Sequence, residues 1–109
     1  MSITIHIHYR GEDGSARRFA EEMEAAGIAA KIRAEDGNEG YDYYLPMGDR
    51  ETVLLIDRWR DQAAIDRHHA SEMMGAIAAL REKYGLHMRV ERFTDDAGIP
   101  ESDAAFIRE

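Results

Sequence analysis

The sequence predicts an α+β domain on the ferredoxin-like plan, β-α-β-β-α-β with a four-stranded antiparallel sheet, and three observations carry that prediction. Four short segments have strand character: ITIHIHYR, YDYYLP, TVLLIDRWR and LHMRVERF. Two longer segments repeat apolar residues at helical spacing. Those helical segments follow the first and third strands, which leaves the second and third strands to pair as a hairpin.

In chain order, Ile3, Ile5 and Ile7 alternate with Thr4, His6 and His8, so the first strand has an isoleucine face for the core and a polar face opposite. GEDGS turns the chain, and Ser15 is placed to cap SARRFAEEMEAAG, where Phe19, Met23 and Ala26 recur before Gly27 ends the helix. IAAKIRAEDGNEG reads as a helical turn and a polar loop, and YDYYLP as an aromatic strand stopped by Pro46. TVLLIDRWR is the strongest strand signal. Asp61 then caps one long helix, DQAAIDRHHASEMMGAIAALREKYG, closed by Gly85. After LHMRVERF, the tail over 96–109 is polar except for Phe106 and Ile107, which are placed to anchor it on the body or on a second subunit.

Both helices should cover one face of the sheet. The other face would carry Thr4, His6, His8, Leu54, Ile56 and Arg58, too apolar in its middle strand to face water, so a sheet-to-sheet homodimer is expected. A chain of 109 residues holds one domain, and 44% apolar with 33% charged residues sets aside disordered and collagen-like classes. No apolar run approaches the roughly 20 residues of a membrane span, and the start lacks a signal-peptide core, so a cytoplasmic protein without a membrane partner is expected. A net charge of -8 with no basic stripe argues against nucleic acid, and the absence of cysteine removes thiolate chemistry. No Gly-rich nucleotide loop and no GxSxG is present.

The segment GYDYY from Gly40, followed by VLLIDRWRDQAAIDRHHAS from Val53 to Ser71, resembles the antibiotic biosynthesis monooxygenase (ABM) domain family, which includes cofactor-independent quinol monooxygenases. The family pattern is an aromatic strand after a Gly-rich loop, then an apolar strand ending acidic-x-Trp-x-Asp, then a helix carrying Ala and His-x-Ala-Ser. Asp57, Trp59, Asp61, Ala64, His68, Ala70 and Ser71 fill those places. The resemblance covers residues 2–95 and implies a dimeric α/β barrel with a cavity between the sheet and helices of each subunit. It further implies a monooxygenase that takes a small planar phenol or quinol and O2 and needs no cofactor. Related domains also serve as haem-degrading enzymes, isomerases and proteins without a reaction, so the alternative is a non-catalytic small-molecule-binding or stress-response dimer. His69 stands where Leu is common, and Ser71-Glu72-Met73-Met74 where Ser-Pro-His-Phe is common. Ile7 and Ala78 occupy the places of the Asn and His used by haem-degrading relatives, which weakens a haem reading.

These readings nominate His68, Asp57 and Trp59 as catalytic, and Tyr41, Tyr43, His69, Met73 and Ile7 as substrate-binding. Trp59 shares a face with Val53, Leu55 and Asp57; it either packs the core or walls a cavity against a flat substrate. Asp57 on a covered face needs a partner, an arginine in the plain structural reading, or its pKa rises until it can serve as a base. On a helical wheel drawn through the long helix, Ile65, His69, Met73, Ala76 and Leu80 share one side, which makes His69 the buried imidazole and puts His68 at a rim. Adjacent helix positions diverge by about 100°, so the His pair is a poor metal site and no metal is assigned. His6-x-His8 shares a strand face and such a pair can bind zinc, but the sequence shows no third ligand beside it, and the two read instead as dimer-interface residues.

Overall fold

The computed structural model describes all of residues 1–109. The alternating isoleucines form β1 (Ile3–Arg10), which is followed by α1 (Ser15–Ala25) and a short α2 (Ile28–Arg33). The hairpin is β2 (Asn38–Tyr44) and β3 (Thr52–Trp59); α3 (Gln62–His69), α4 (Met73–Lys83) and β4 (His87–Thr94) follow. The strands form one antiparallel sheet in the order β2-β3-β1-β4, the ferredoxin-like arrangement with the first and third strands central.

The register sets the two faces. Ile3, Ile5, Ile7 and Tyr9 lie opposite Trp59, Asp57, Leu55 and Val53, and this face takes the helices. Phe19 and Met23 of α1, Ile32 of α2, and Ile77 of α4 close over it, with Tyr9, Val53, Leu55 and Trp59 buried beneath. Each such side chain contributes about 1.5–3 kcal/mol by leaving water. Thr4, His6 and His8 face outward with Arg58, Ile56 and Leu54, and no helix covers them.

Four local expectations change. Gly14, with φ of 76°, sits at the cap of α1, and Ser15 is the first helical residue, its hydroxyl accepting from Glu12 N at 3.1 Å. β2 begins at Asn38, earlier than its aromatic run, because backbone pairing with β3 extends through a bulge near Gly40. The tail forms a single turn, α5 (Glu101–Ala104), with Phe106 89% exposed, so within the chain it does not anchor on the body.

The fourth change matters for the site. The long helix after β3 is two helices, broken at 70–72. Ser71 is the hinge: its backbone N and its hydroxyl both donate to His68 O, at 3.0 and 2.7 Å, which ends α3. Asp61 does cap α3, accepting from Ala64 N at 2.9 Å. No helix is long and apolar enough to cross a membrane.

Candidate active site

A cavity of about 370 Å³ lies between the helix-covered face of the sheet and the α3–α4 pair. Ile5 and Ile7 of β1 form its floor beside Leu55, and Met74 and Ile77 of α4 face them. Met88 and Val90 of β4 flank the opening, where the helix layer stops short and leaves Val90 52% exposed. Ten of the sixteen lining residues are hydrophobic, and one wall carries Asp57 beside Trp59.

That wall is built by the alternation of β3. Asp57 and Trp59 point to the same side, and Trp59 Nε1 donates to Asp57 Oδ2 at 2.6 Å. The other carboxylate oxygen, Oδ1, is buried without a partner. Burial drives the Asp57 pKa up, the Trp59 hydrogen bond partly offsets it, and the result is about 6. The expected arginine partner is absent: Arg81 instead donates to Tyr9 Oη through Nη2 at 2.7 Å and Nε at 3.1 Å.

His68 lies flat on Trp59, ring centroids 4.8 Å apart and planes 28° from parallel. Its Nδ1 is 2.8 Å from Glu35 Oε2. A carboxylate only accepts, so this contact puts the ring proton on Nδ1 and leaves Nε2 with a free lone pair. Burial lowers the His68 pKa, against the opposing pull of Glu35. Glu35 reaches His68 because its turn is pinned to the start of α3. Arg60 N donates to Gly37 O at 2.8 Å, and Gly37, with φ of 85°, comes so near that a Cβ there would lie 2.5 Å from Ala64 Cβ.

The two imidazoles therefore exchange the places expected of them. His68 is 7% exposed, and His69 is the exposed ring, still lining the cavity 5.8 Å from His68. The buried face of α3 is Ala64, Ile65 and His68, and the break resets the helical phase. For the same reason Met74 and Ile77 line the cavity, while Met73 packs on the core outside it. Tyr41 lines the cavity, and burial holds its phenol protonated far above neutral pH. Tyr43 does not reach it; its ring sits edge-on to Phe19 under α1. Ile7 is in the floor.

Three polar residues at the site were not expected. Glu35, behind His68 rather than in the cavity lining, carries no pattern signal, standing in what reads as a plain turn; Arg81 and Arg92, which do line the cavity, read as surface charges of a helix and a strand. None of the cavity's own carboxylates and imidazoles forms a three-ligand cluster; the one such cluster, His6, His8 and Glu91, is on the outer face of the sheet.

Fold and cavity define the class, a ferredoxin-like α+β domain enclosing one apolar cleft with a carboxylate and an imidazole on its wall. Residues 2–80 match the Antibiotic biosynthesis monooxygenase family, and the chain belongs to that family. It is similar to the Bacillus subtilis protein called "Putative monooxygenase YcnE", 30% identical over 70 residues that cover 63% of this chain and 74% of the relative. The structure of PA3566 from Pseudomonas aeruginosa is 26% identical and superposes with a TM-score of 0.74 over 88% of this chain and 95% of that one. SnoaB, a cofactor-independent oxygenase from Streptomyces nogalater, shares the fold at 18% identity and a TM-score of 0.75, over 92% and 98% of the two chains.

Proposed function

We propose that the protein is a cofactor-independent monooxygenase of a small planar phenol or quinol, acting in the cytoplasm as a homodimer. Asp57 carries the reading: a carboxylate with one unpartnered oxygen in an apolar cavity and a pKa near 6 is a base matched to neutral pH. Family membership and the SnoaB fold support the reaction class.

In this mechanism the ring lies between the Ile5–Ile7 floor and Met74, and the phenol proton passes to Asp57 Oδ1. His68 Nε2 accepts a second hydrogen bond from the substrate, its ring held by Trp59 and Glu35. Arg81 stabilises the phenolate that forms. The anion passes one electron to O2; superoxide and the phenoxyl radical then join at a ring carbon. The peroxide loses water as that carbon becomes a carbonyl. One oxygen atom enters the product and the other leaves as water, with the substrate supplying all the electrons. The dry cavity limits escape of the radical pair.

The outer sheet face supports the dimer, since Leu54, Ile56 and the partly exposed Phe93 lie there without a helix over them. Oxygen uptake with a panel of hydroquinones tests the activity. Turnover should fall by about 10²–10⁴ in Asp57→Asn and substantially in His68→Ala and Trp59→Phe. No uptake by the native protein, or equal uptake in all four proteins, overturns the reading.

A further inference from the structure

The alternation that sends Ile5 and Ile7 into the cavity sends His6 and His8 out to the opposite face, and the strand register puts Glu91 of β4 directly across from His6. The three ligand atoms lie within 4.8 Å of one another, and all three residues are half-buried. We infer that His6, His8 and Glu91 form a binding site for one divalent transition-metal ion per chain, zinc being the best match to two imidazoles and a carboxylate.

The geometry is that of a strand-built site. Two residues apart on a strand, both imidazoles project from one face, and the residue opposite on the next strand supplies the third donor. Tetrahedral zinc binds N and O at about 2.0–2.2 Å, which sets its ligand atoms about 3.3 Å apart. The present cluster, with its ligand atoms within 4.8 Å of one another, is looser than that, so an ion would draw the three side chains together. His8 Nε2 already lies 2.7 Å from Glu91 Oε1, the contact an ion would replace. The other oxygen, Oε2, stays with Arg89 Nη1 at 3.2 Å, the kind of outer partner that orients a ligating carboxylate while its charge tempers affinity. Phe93 packs against the His6 ring at 4.7 Å and restricts its rotation. The net charge of -8 favours a cation. A tetrahedral ion keeps its fourth position for water. All three donors come from one chain and face away from the cavity, so the site does not depend on the proposed oxygenation; it lies on the sheet face assigned above to the dimer, where an ion would sit at the subunit interface.

The test is titration of the full chain with Co2+, followed visibly, and then with Zn2+. Four-coordinate cobalt absorbs in the visible range, so the expected result is a saturable band at one ion per chain that zinc abolishes. His8→Ala and Glu91→Gln should each weaken binding by at least about tenfold, and His87→Ala, an exposed imidazole outside the cluster, should leave it unchanged, with far-UV circular dichroism confirming that each variant is folded. Absence of saturable one-to-one binding, or binding that survives both cluster variants, overturns the site.

Discussion

Asp57→Asn should make the protein's stability less dependent on pH. The Asp57 pKa rises from its ordinary 3.8 to about 6 on folding. The folded state therefore holds this proton more tightly than the unfolded chain does, and ionising it in place opposes folding. The penalty is small at about pH 4, roughly half developed at pH 5 and complete near pH 7, where the difference between the two values corresponds to about 3 kcal/mol. Stability due to this group is thus present in acid and lost as pH rises through about 6. Asparagine cannot ionise and keeps an oxygen for the Trp59 hydrogen bond, but it brings amide hydrogens to the unpartnered Oδ1 position, a cost of about 1–3 kcal/mol. That cost does not vary with pH, so the quantity to read is the change in the variant-minus-native difference. Urea unfolding of both proteins at pH 4 and pH 8 should show the difference moving toward the variant by about 2.5 kcal/mol. A difference that stays flat between those pH values would refute the claim that Asp57 is a strained, ionisable group, and with it the base assigned to the cavity.

Three further outcomes follow from the same geometry. Glu35→Gln removes the negative charge that supports the His68 proton, so the His68 midpoint, read by NMR of its ring carbon protons, should move to more acidic pH, while kcat/KM falls by about tenfold to a hundredfold as the ring loses its anchor. Arg81→Met takes the partner from the Tyr9 hydroxyl and one of the two arginines from the cavity; steady-state kinetics should show KM for quinols rising about tenfold or more, the loss expected for one charge-assisted hydrogen bond. Gly37→Ala puts a Cβ into Ala64 in a left-handed backbone conformation; thermal unfolding should show a loss of about 2 to 4 kcal/mol.

The sheet was legible because a strand's pattern is local: ITIHIHYR and TVLLIDRW declare their two faces residue by residue, and the structure keeps both assignments. The helix face was not, because a helical wheel is a running sum of rotations. Ala70 to Glu72 interrupt that sum and shift the phase past them, which is why Met73 gave way to Met74 and Ala76 to Ile77, although Leu80 is buried as the wheel placed it. His68 and His69 were misassigned for the same reason, since apolar residues beyond the break biased the wheel. Glu35 was invisible for a different reason. Its meeting with His68, thirty-three positions later, depends on a turn held against α3 by one close glycine contact, and no periodicity encodes such a contact.

β1 carries two messages interleaved at alternate letters. Its odd positions 5 and 7 are apolar floor for a buried chamber, and its even positions 6 and 8 are imidazoles for the outer surface. Substitutions at one set leave the other set's surroundings intact, so either face is free to change its chemistry without renegotiating the other's. Deletion or insertion of a single residue ahead of Ile5 has no such freedom: it turns the strand over, delivers two basic rings into the oily chamber and strips the outer face of its donors at once. The strand thus tolerates substitution at many points and a shift of reading frame along the sheet at none.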